Sequence, residues 1–367
     1  MNSIENVFKD RFPRVLVTGG AGFIGSCLIR NLLKTTKSKI FNLDKLSYSS
    51  DLTSIYSTIQ KYQIDQKRYE DLHVNLENVN DLNKVIKISD PDLIFHLAAE
   101  SHVDRSIDTP NPFIKNNIIG TLNLLETTYD HYQKLSDFRK KKFRLINIST
   151  DEVFGSLDSN GLFNEKTQYN PTSPYSASKA SSDHLVNAWF HTYGLPTITT
   201  NCSNNFGPWQ FPEKLIPLTI FKALSNQNIP IYGDGKNIRD WLFVEDHVYA
   251  LLKISFLGKP GQKYCIGGFK EITNLDMVES ICDILDILRP INHSYKKFIK
   301  FVADRPGHDF RYAVNTQKIE EEISWQSTSE FSSSLEKTII WYLENESWCK
   351  DVLKKSGYFG ERIGINN

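Results

Sequence analysis

Residues 149–156 read STDEVFGS and follow FRLINI, an apolar run with the character of a buried strand. A chain leaving its core at this point sets Thr150, Asp151 and Glu152 side by side. Adjacent carboxylates suit a solvated turn. They also suit an acid and a base working on neighbouring atoms. Further on, YSASK places Tyr175 and Lys179 one helical turn apart on a shared face. An ammonium near a phenol favours the phenolate. By itself this pair is a common accident on a helix surface, so its meaning depends on what stands upstream.

Upstream stands a glycine loop. In TGGAGFIGS three of the glycines, at 19, 22 and 25, are spaced GxxGxxG. Gly19 allows a tight turn, Gly22 lets backbone approach a pyrophosphate, and Gly25 permits close helix–sheet packing. Asp44 ends the next strand, nineteen residues after Gly25. A carboxylate there accepts ribose hydroxyls and repels a 2′-phosphate, so NAD is expected over NADP, with Lys45 beside it as a cationic compensator. Given that cofactor, Thr150, Tyr175 and Lys179 form a set that removes a hydroxyl proton while hydride leaves the same carbon. Lys179 can also reach the nicotinamide ribose.

These groups need a scaffold. RVLVT at 14–18, a helix through CLIRNLLKTT and KIFNLD at 39–44 make a βαβ unit. Strand and helix patterns then alternate: a helix at DLNKVIKIS, a strand at 91–99, one long helix from Phe113, the strand FRLINIS, a second long helix from Ser173 and a strand at 195–202. Residues 45–70 carry no clear pattern. The expected fold is α/β, a Rossmann-type doubly wound parallel sheet over 1–203. A smaller mixed α/β substrate domain is expected over 204–367, with segments around 237–260 crossing back.

Composition narrows the class. The 367 residues are 40% apolar and 23% charged, with 43 basic against 43 acidic side chains. That balance gives no support for a nucleic-acid partner. The five cysteines are scattered and form no CxxC pair, which favours a reducing compartment and disfavours a zinc site. No apolar stretch reaches membrane-spanning length, and the polar start lacks a signal-peptide core. A cytoplasmic, metal-free, non-membrane protein is expected.

VTGGAGFIGS, LDKLSY, HLAAESHVDRSI, STDEVFG, PYSASKA, NCSNNFGPWQFPEKLIPL, YGDGKNIRDWLFVEDH and RPGHDFRYAVN occur in that order. Over residues 14–348 this set resembles the extended short-chain dehydrogenase/reductase family. Within it the set resembles the nucleoside-diphosphate-glucose 4,6-dehydratases, most closely the dTDP-glucose branch of bacterial deoxysugar pathways. The resemblance implies that Tyr175 takes the 4-hydroxyl proton, Glu152 removes the C5 proton and Asp151 protonates the departing 6-hydroxyl. NAD is then recycled within each turnover and stays tightly bound. Implied cofactor contacts also include Phe23, Ile24, Asn75, Leu76, Ala98 and Ala99. Implied substrate contacts are Ser101, His102, Thr150, Asn205, Glu213, Lys214, Leu215, Tyr232 near the base, Arg239 and Arg305 as a diphosphate clamp, Asn274 and His308. A homodimer through a four-helix interface is implied as well.

Departures from the family pattern are Asn75–Leu76 where an Asp–Ile pair is frequent, Ser49-Ser50-Asp51 in place of Ala-Gly-Asn, and Phe154 in place of Tyr. Alternative readings are a UDP-sugar dehydratase, an epimerase, a decarboxylase or a non-catalytic NAD-binding homologue. The adjacent Asp151 and Glu152 argue against epimerase and decarboxylase. The intact set of five argues against a mere binding module.

Overall fold

Seven parallel strands form the central sheet of the computed structural model, which describes residues 2–358 and 360. In chain order six are β1 (Arg14–Thr18), β2 (Lys39–Asp44), β3 (Tyr69–His73), β4 (Leu93–His96), β5 (Arg144–Thr150) and β6 (Thr197–Cys202). Their spatial order is β6-β5-β4-β1-β2-β3, and all pairings are parallel. Strand order reverses between β1 and β4, which opens a crevice at the carboxyl ends where ligands of such sheets bind. Both faces are covered. Phe8, Leu28, Leu32, Val248 and Leu251 pack on one side, and Leu82, Leu124, Leu145 and Val186 on the other. Burial on both faces explains why the strands read as continuous apolar runs.

The expected strand at 91–99 stops at His96, because Leu97 to Ala99 leave the sheet to border the crevice. The patternless stretch 45–70 holds a helix, Thr53–Lys61, and the first residues of β3. Its apolar spacing is short: only Ser54, Ile55 and Ile59 are buried. A further helix, Asn2–Arg11, precedes β1. Phe8 and Phe12 stack edge to face at 5.4 Å and are fully buried, so the polar start hides a core-forming stripe.

The long helix expected from Phe113 is not continuous. Ile114–Ile119 form a wider π turn before the α-helix Gly120–Lys134 resumes. Such turns offset a helix and re-aim a side chain. Here Asn117 is buried and holds the backbone of Glu100 at both N and O, at 2.9 and 3.0 Å, while donating to Ser178 Oγ at 2.8 Å. The second long helix spans Pro174–Tyr193 as expected. Ser173 and Ser176 form a capping box, Pro174 sits in its first turn, and Gly194 ends it in the left-handed region at φ +69°.

Beyond β6 the chain builds smaller sheets: β7 (Asn204–Phe206), β8 (Ile229–Tyr232), β9 (Ile238–Phe243), β11 (Glu271–Thr273) and β12 (Ile299–Val302). They pair as β11-β9-β7 and β12-β8 around Phe206, Ile231, Trp241, Met277 and Ile339. Between them the helix Val244–Leu257 packs on the first unit's helix Phe23–Thr35. β10 (Lys263–Ile266) then joins β6 as the seventh strand of the large sheet. Two helices, Phe331–Glu344 and Glu346–Ser356, follow and meet at Asn345.

Candidate active site

The glycine loop follows from backbone geometry. Gly19 has φ +72°, and a Cβ there would stand 2.6 Å from Ala98 N. A Cβ at Gly25 would lie 2.2 Å from Gly19 O, so helix and loop touch without room for a methyl. Gly22 caps the helix Phe23–Thr35 in extended geometry, with nothing nearer than Gly19 O at 3.3 Å. The helix N-terminus therefore faces the crevice with free N–H groups and a positive dipole end, the arrangement that receives phosphate. Gly20 belongs to the set too: a Cβ would meet Asn42 Oδ1 at 2.2 Å.

Asp44 is buried at the end of β2. It accepts from Ala21 N at 3.0 Å, Leu46 N at 2.8 Å and Ser50 Oγ at 3.0 Å. Burial raises its pKa and those bonds oppose the rise. Ser50, a departure from the family pattern, thus supplies a direct bond to Asp44. Lys45 is paired with Glu100 at 2.7 Å and Asn116 at 2.9 Å, so it bridges two walls of the crevice.

The crevice, about 290 Å³, is bordered by Gly19, Gly22, Phe23, Ile24, Gly25, Asp44, Lys45, Asn75, Leu76, Ala98, Ala99 and Ser101 on the β1–β4 side. Thr150, Asp151, Glu152, Tyr175, Lys179, Asn205, Glu213 and Lys214 border the other. His102, Leu215, Tyr232, Arg239, Asn274, Arg305 and His308 do not line it. Of these, Arg239 and Arg305 lie within electrostatic reach of Glu152. His102 is buried and accepts from Arg105 N at 3.5 Å as a helix cap. Burial, then Lys214 and Arg105, hold it well below the usual imidazole range, so it is neutral. Asn274 opens the helix Asn274–Leu288, and Leu215 opens Leu215–Leu224 and packs into the second core.

Thr150 caps the 3₁₀ turn Asp151–Phe154, accepting from Glu152 N at 3.2 Å. That turn is why two carboxylates follow the strand without leaving the protein. Thr150 Oγ1 also donates to Asp151 Oδ1 at 3.3 Å, and Thr150 works against the rise of the Tyr175 pKa. Asp151 is 2% exposed and its Oδ2 is buried without a hydrogen-bond partner. Burial, then Glu152 and Asp240, push its pKa well above the carboxylate range. Glu152 is raised by burial too, but Arg305, Lys214 and Arg239 pull it back. Both adjacent acids are thus raised, Asp151 the further of the two, because three cations oppose the rise at Glu152 and one at Asp151.

Burial, then Glu152 and Cys202, push the Tyr175 phenol well above its usual range. The effect expected from Lys179 alone is therefore overridden in the protein by desolvation and a nearby acid. Lys179 is buried and donates to Ile148 O at 2.9 Å, with further N–H groups left for the crevice.

Beyond the carboxylates lies a cationic end. Arg239 donates only to backbone, to Ile238 O at 2.8 Å, Asp309 O at 3.0 Å and Phe310 O at 3.3 Å, and stacks over Tyr312 at 4.4 Å. Arg305 is paired with Asp104 at 2.8 Å, and its Nε is buried without a partner. Tyr232, expected near a base, has its hydroxyl on Asp104 at 2.9 Å and so helps fix Arg305. His308 is on Asp304 at 2.6 Å, and burial with the two arginines lowers its pKa to about 4. A planar dication with an unsatisfied N–H suits a diphosphate.

Sequence reasoning missed several residues here. His247 Nδ1 is 2.9 Å from Asn205 Oδ1 and fixes that amide, while burial lowers the imidazole pKa to about 3. Glu213 is held by Tyr48 at 2.9 Å and Arg105 at 3.1 Å, which ties the loop after β2 to the far wall. Only tertiary contact joins these residues, so no local spacing marks them. Gly20 was legible as the second of two adjacent glycines, but the fingerprint spacing skips it.

A glycine loop at a strand-order switch point, facing a Thr–Tyr–Lys set with two buried arginines beyond it, defines a nucleotide-sugar enzyme of the extended short-chain dehydrogenase/reductase class. A family model for GDP-mannose 4,6 dehydratase matches residues 16–338. The dTDP-glucose 4,6-dehydratase of Shigella flexneri is 49% identical over 362 residues, 96% of this chain and 98% of its own. The solved dTDP-glucose 4,6-dehydratase of Streptomyces venezuelae, with NAD bound, is 36% identical at a TM-score of 0.84, covering 92% of this chain and 99% of that one. The Bacillus anthracis dTDP-glucose 4,6-dehydratase, also in complex with NAD, is 42% identical at a TM-score of 0.79 over 92% of this chain and 99% of its own. The chain belongs to the dTDP-glucose 4,6-dehydratase family.

Proposed function

We propose that the protein is an NAD-dependent hydro-lyase that converts dTDP-glucose to dTDP-4-keto-6-deoxyglucose and water, a deoxysugar-forming step. The observation that carries this reading is the pair Asp151 and Glu152, adjacent in sequence and unequal in proton preference, Asp151 holding its proton the more firmly, beside Tyr175. Bound NAD supplies a hydride acceptor for C4 and returns the hydride to C6. Tyr175, with Thr150, takes the proton of the 4-hydroxyl as phenolate, the form that Lys179 and the positive charge of a bound NAD+ would favour against burial. The 4-keto group so formed acidifies C5–H. Glu152, the more acidic of the pair because Arg305, Lys214 and Arg239 oppose its rise, removes that proton. Asp151, kept protonated, gives its proton to the departing 6-hydroxyl, and water leaves across C5–C6. Glu152 returns its proton to C5 as C6 is reduced, and the proton taken up by Tyr175 is released as Asp151 regains one from solvent.

Gly19, Gly22, Phe23, Ile24, Gly25, Asp44, Lys45, Asn75, Leu76, Ala98 and Ala99 are assigned to the dinucleotide. Arg239 and Arg305 clamp the sugar nucleotide's diphosphate, with His308 and Asn205 beside them. Residues 1–203 with the returning segment 244–266 serve the cofactor, and the remainder serves the sugar nucleotide. The helices 120–134 and 174–193 expose Tyr193 and lead from the exposed Ile114 and Ile119, which supports a homodimer through paired helices. The five cysteines are free and buried, in keeping with a cytoplasmic setting. Among the described residues no helix is long and apolar enough to cross a membrane, and no cluster of three metal-ligating side chains occurs.

A panel of NDP-glucoses tests the reading. Loss of the 6-hydroxyl with gain of a 4-ketone is expected, fastest with dTDP-glucose. Turnover of UDP-glucose in clear preference would overturn the base assignment, and C4 inversion without loss of water would overturn the dehydratase.

A further inference from the structure

Asp183 is a buried carboxylate that none of the steps above uses. It stands one helical turn after Lys179 on the same face of the helix, is 2% exposed, and does not line the crevice. Neutral donors reach it from three elements. Asn147 Nδ2 of β5 is at 2.8 Å, Tyr169 OH of the preceding loop at 2.9 Å, and Asn201 Nδ2 of β6 at 3.4 Å. Hydrogen bonds from neutral groups only partly offset the cost of a charge in a dry interior; an opposite charge is needed for the rest.

Lys179 has the complementary problem. Its ammonium is equally buried, and its bond to Ile148 O is also to a neutral group. The titratable groups facing it from neighbouring strands carry no negative charge: His96 of β4 is lowered to about 3 and stays neutral, and Cys202 of β6 is pushed up to about 12 and stays a thiol. Tyr175 on the same helix is raised as well. Burial lowers Lys179 and raises Asp183, and each opposes the other's shift across one helical turn, so Asp183 is the carboxylate that acts on Lys179. Lys263 of β10 also senses Asp183, but it is only partly buried and lies over the Tyr169 ring at 4.2 Å.

We infer that Asp183 is a positioning residue for Lys179: its buried carboxylate keeps Lys179 cationic and aimed at the crevice while touching neither substrate nor cofactor. The inference rests on the role given to Lys179 above. It also explains the polar net behind the helix. Asn147 and Asn201 hold Asp183 rather than the ligand, and so set the charge of the site from outside it.

The substitution Asp183→Asn tests this without stranding a donor. Asn147 Oδ1 and Asn201 Oδ1 are both buried without partners, so an amide at 183 finds acceptors already in place. The holoenzyme labelled with [13Cε]lysine reports the proton on Lys179 directly, its signal identified by its absence in Lys179→Arg. The Lys179 midpoint is expected to fall by about one pH unit or more in Asp183→Asn, at least a tenfold loss of proton affinity, since an opposite charge nearby shifts a group by about 1–3 units. The alkaline limb of kcat should fall with it, and Asp183→Glu should restore both. An unchanged midpoint overturns the inference whatever happens to activity, and leaves Asp183 as a tie between β5, β6 and the helix. If the midpoint falls and the rate profile does not follow, the pairing stands and the catalytic role of Lys179 is what fails. If Asp183→Asn does not fold, Asp183→Ser carries the same measurement.

Discussion

Replacing Gly25 with alanine separates the architecture of the glycine loop from its chemistry. The new methyl would stand 2.2 Å from Gly19 O and 2.8 Å from Gly20 Cα, both backbone atoms that cannot rotate away. Helix and loop must part by roughly 1 Å to reach ordinary contact distance. Such overpacking costs about 1–3 kcal/mol. With about 2.1 cal/mol/K of unfolding entropy per residue, a chain of 367 residues has about 0.8 kcal/mol/K, so the melting temperature should fall by roughly 1–4 °C. Gly22→Ala is the contrast. Its methyl meets only Gly19 O at 3.3 Å, and its backbone is ordinary, with φ −78°, so the fold should be nearly indifferent. Both variants should lose bound NAD, the first because the helix N-terminus has moved and the second because a methyl stands where phosphate belongs. Dinucleotide released on denaturation gives the content, and calorimetry on cofactor-stripped proteins gives the stability. Gly25→Ala with full NAD content and an unchanged melting temperature would refute the close-contact argument.

Burial raises Asp151 above its unfolded pKa, so the folded chain binds more protons than the unfolded one above the ordinary carboxylate range. Stability from this group is complete at low pH and is lost as pH rises through the folded value; Asp151→Asn should flatten that decline in melting temperature, and a parallel slope would contradict a protonated Asp151. Asp151→Asn should also cut turnover by about 10²–10⁴ while NAD content stays at the wild-type level. Asn205→Ala and His247→Ala should be non-additive in kcat/KM by about 0.5–3 kcal/mol, since they share one hydrogen bond; simple additivity would separate them. Light scattering should give twice the 42.2 kDa chain mass, and a monomer would send the exposed helix faces elsewhere.

Much of the fold was legible because the central strands are buried on both faces and so read as unbroken apolar runs, RVLVT and KIFNLD to the residue. What escaped has physical reasons. Lys263–Ile266 is only four residues long and joins the sheet far from its neighbours in sequence, so no local period announces it. The π turn at Ile114–Ile119 leaves the apolar spacing of a helix almost intact. At the site, the glycines, Asp44 and the Thr150–Lys179 set are local patterns. The direction of the Tyr175 shift is not, because it depends on Glu152 and desolvation rather than on the Lys179 spacing that sequence displays. Tyr232 likewise meets Asp104 across more than a hundred residues.

The division of labour between Tyr175 and Glu152 is the centre of the account, and exchange of the sugar C5 hydrogen with deuterated solvent addresses it most directly. Glu152→Gln keeps size and hydrogen bonding and leaves Thr150, Tyr175 and Lys179 in place. C4 oxidation should therefore still proceed and keto-sugar should build up, seen by rapid-mixing absorbance at the reduced-nicotinamide band. C5 exchange should fall by about 10²–10⁴. In Tyr175→Phe neither oxidation nor exchange should occur. C5 exchange at the wild-type rate in Glu152→Gln would contradict the account and place the base elsewhere in the crevice.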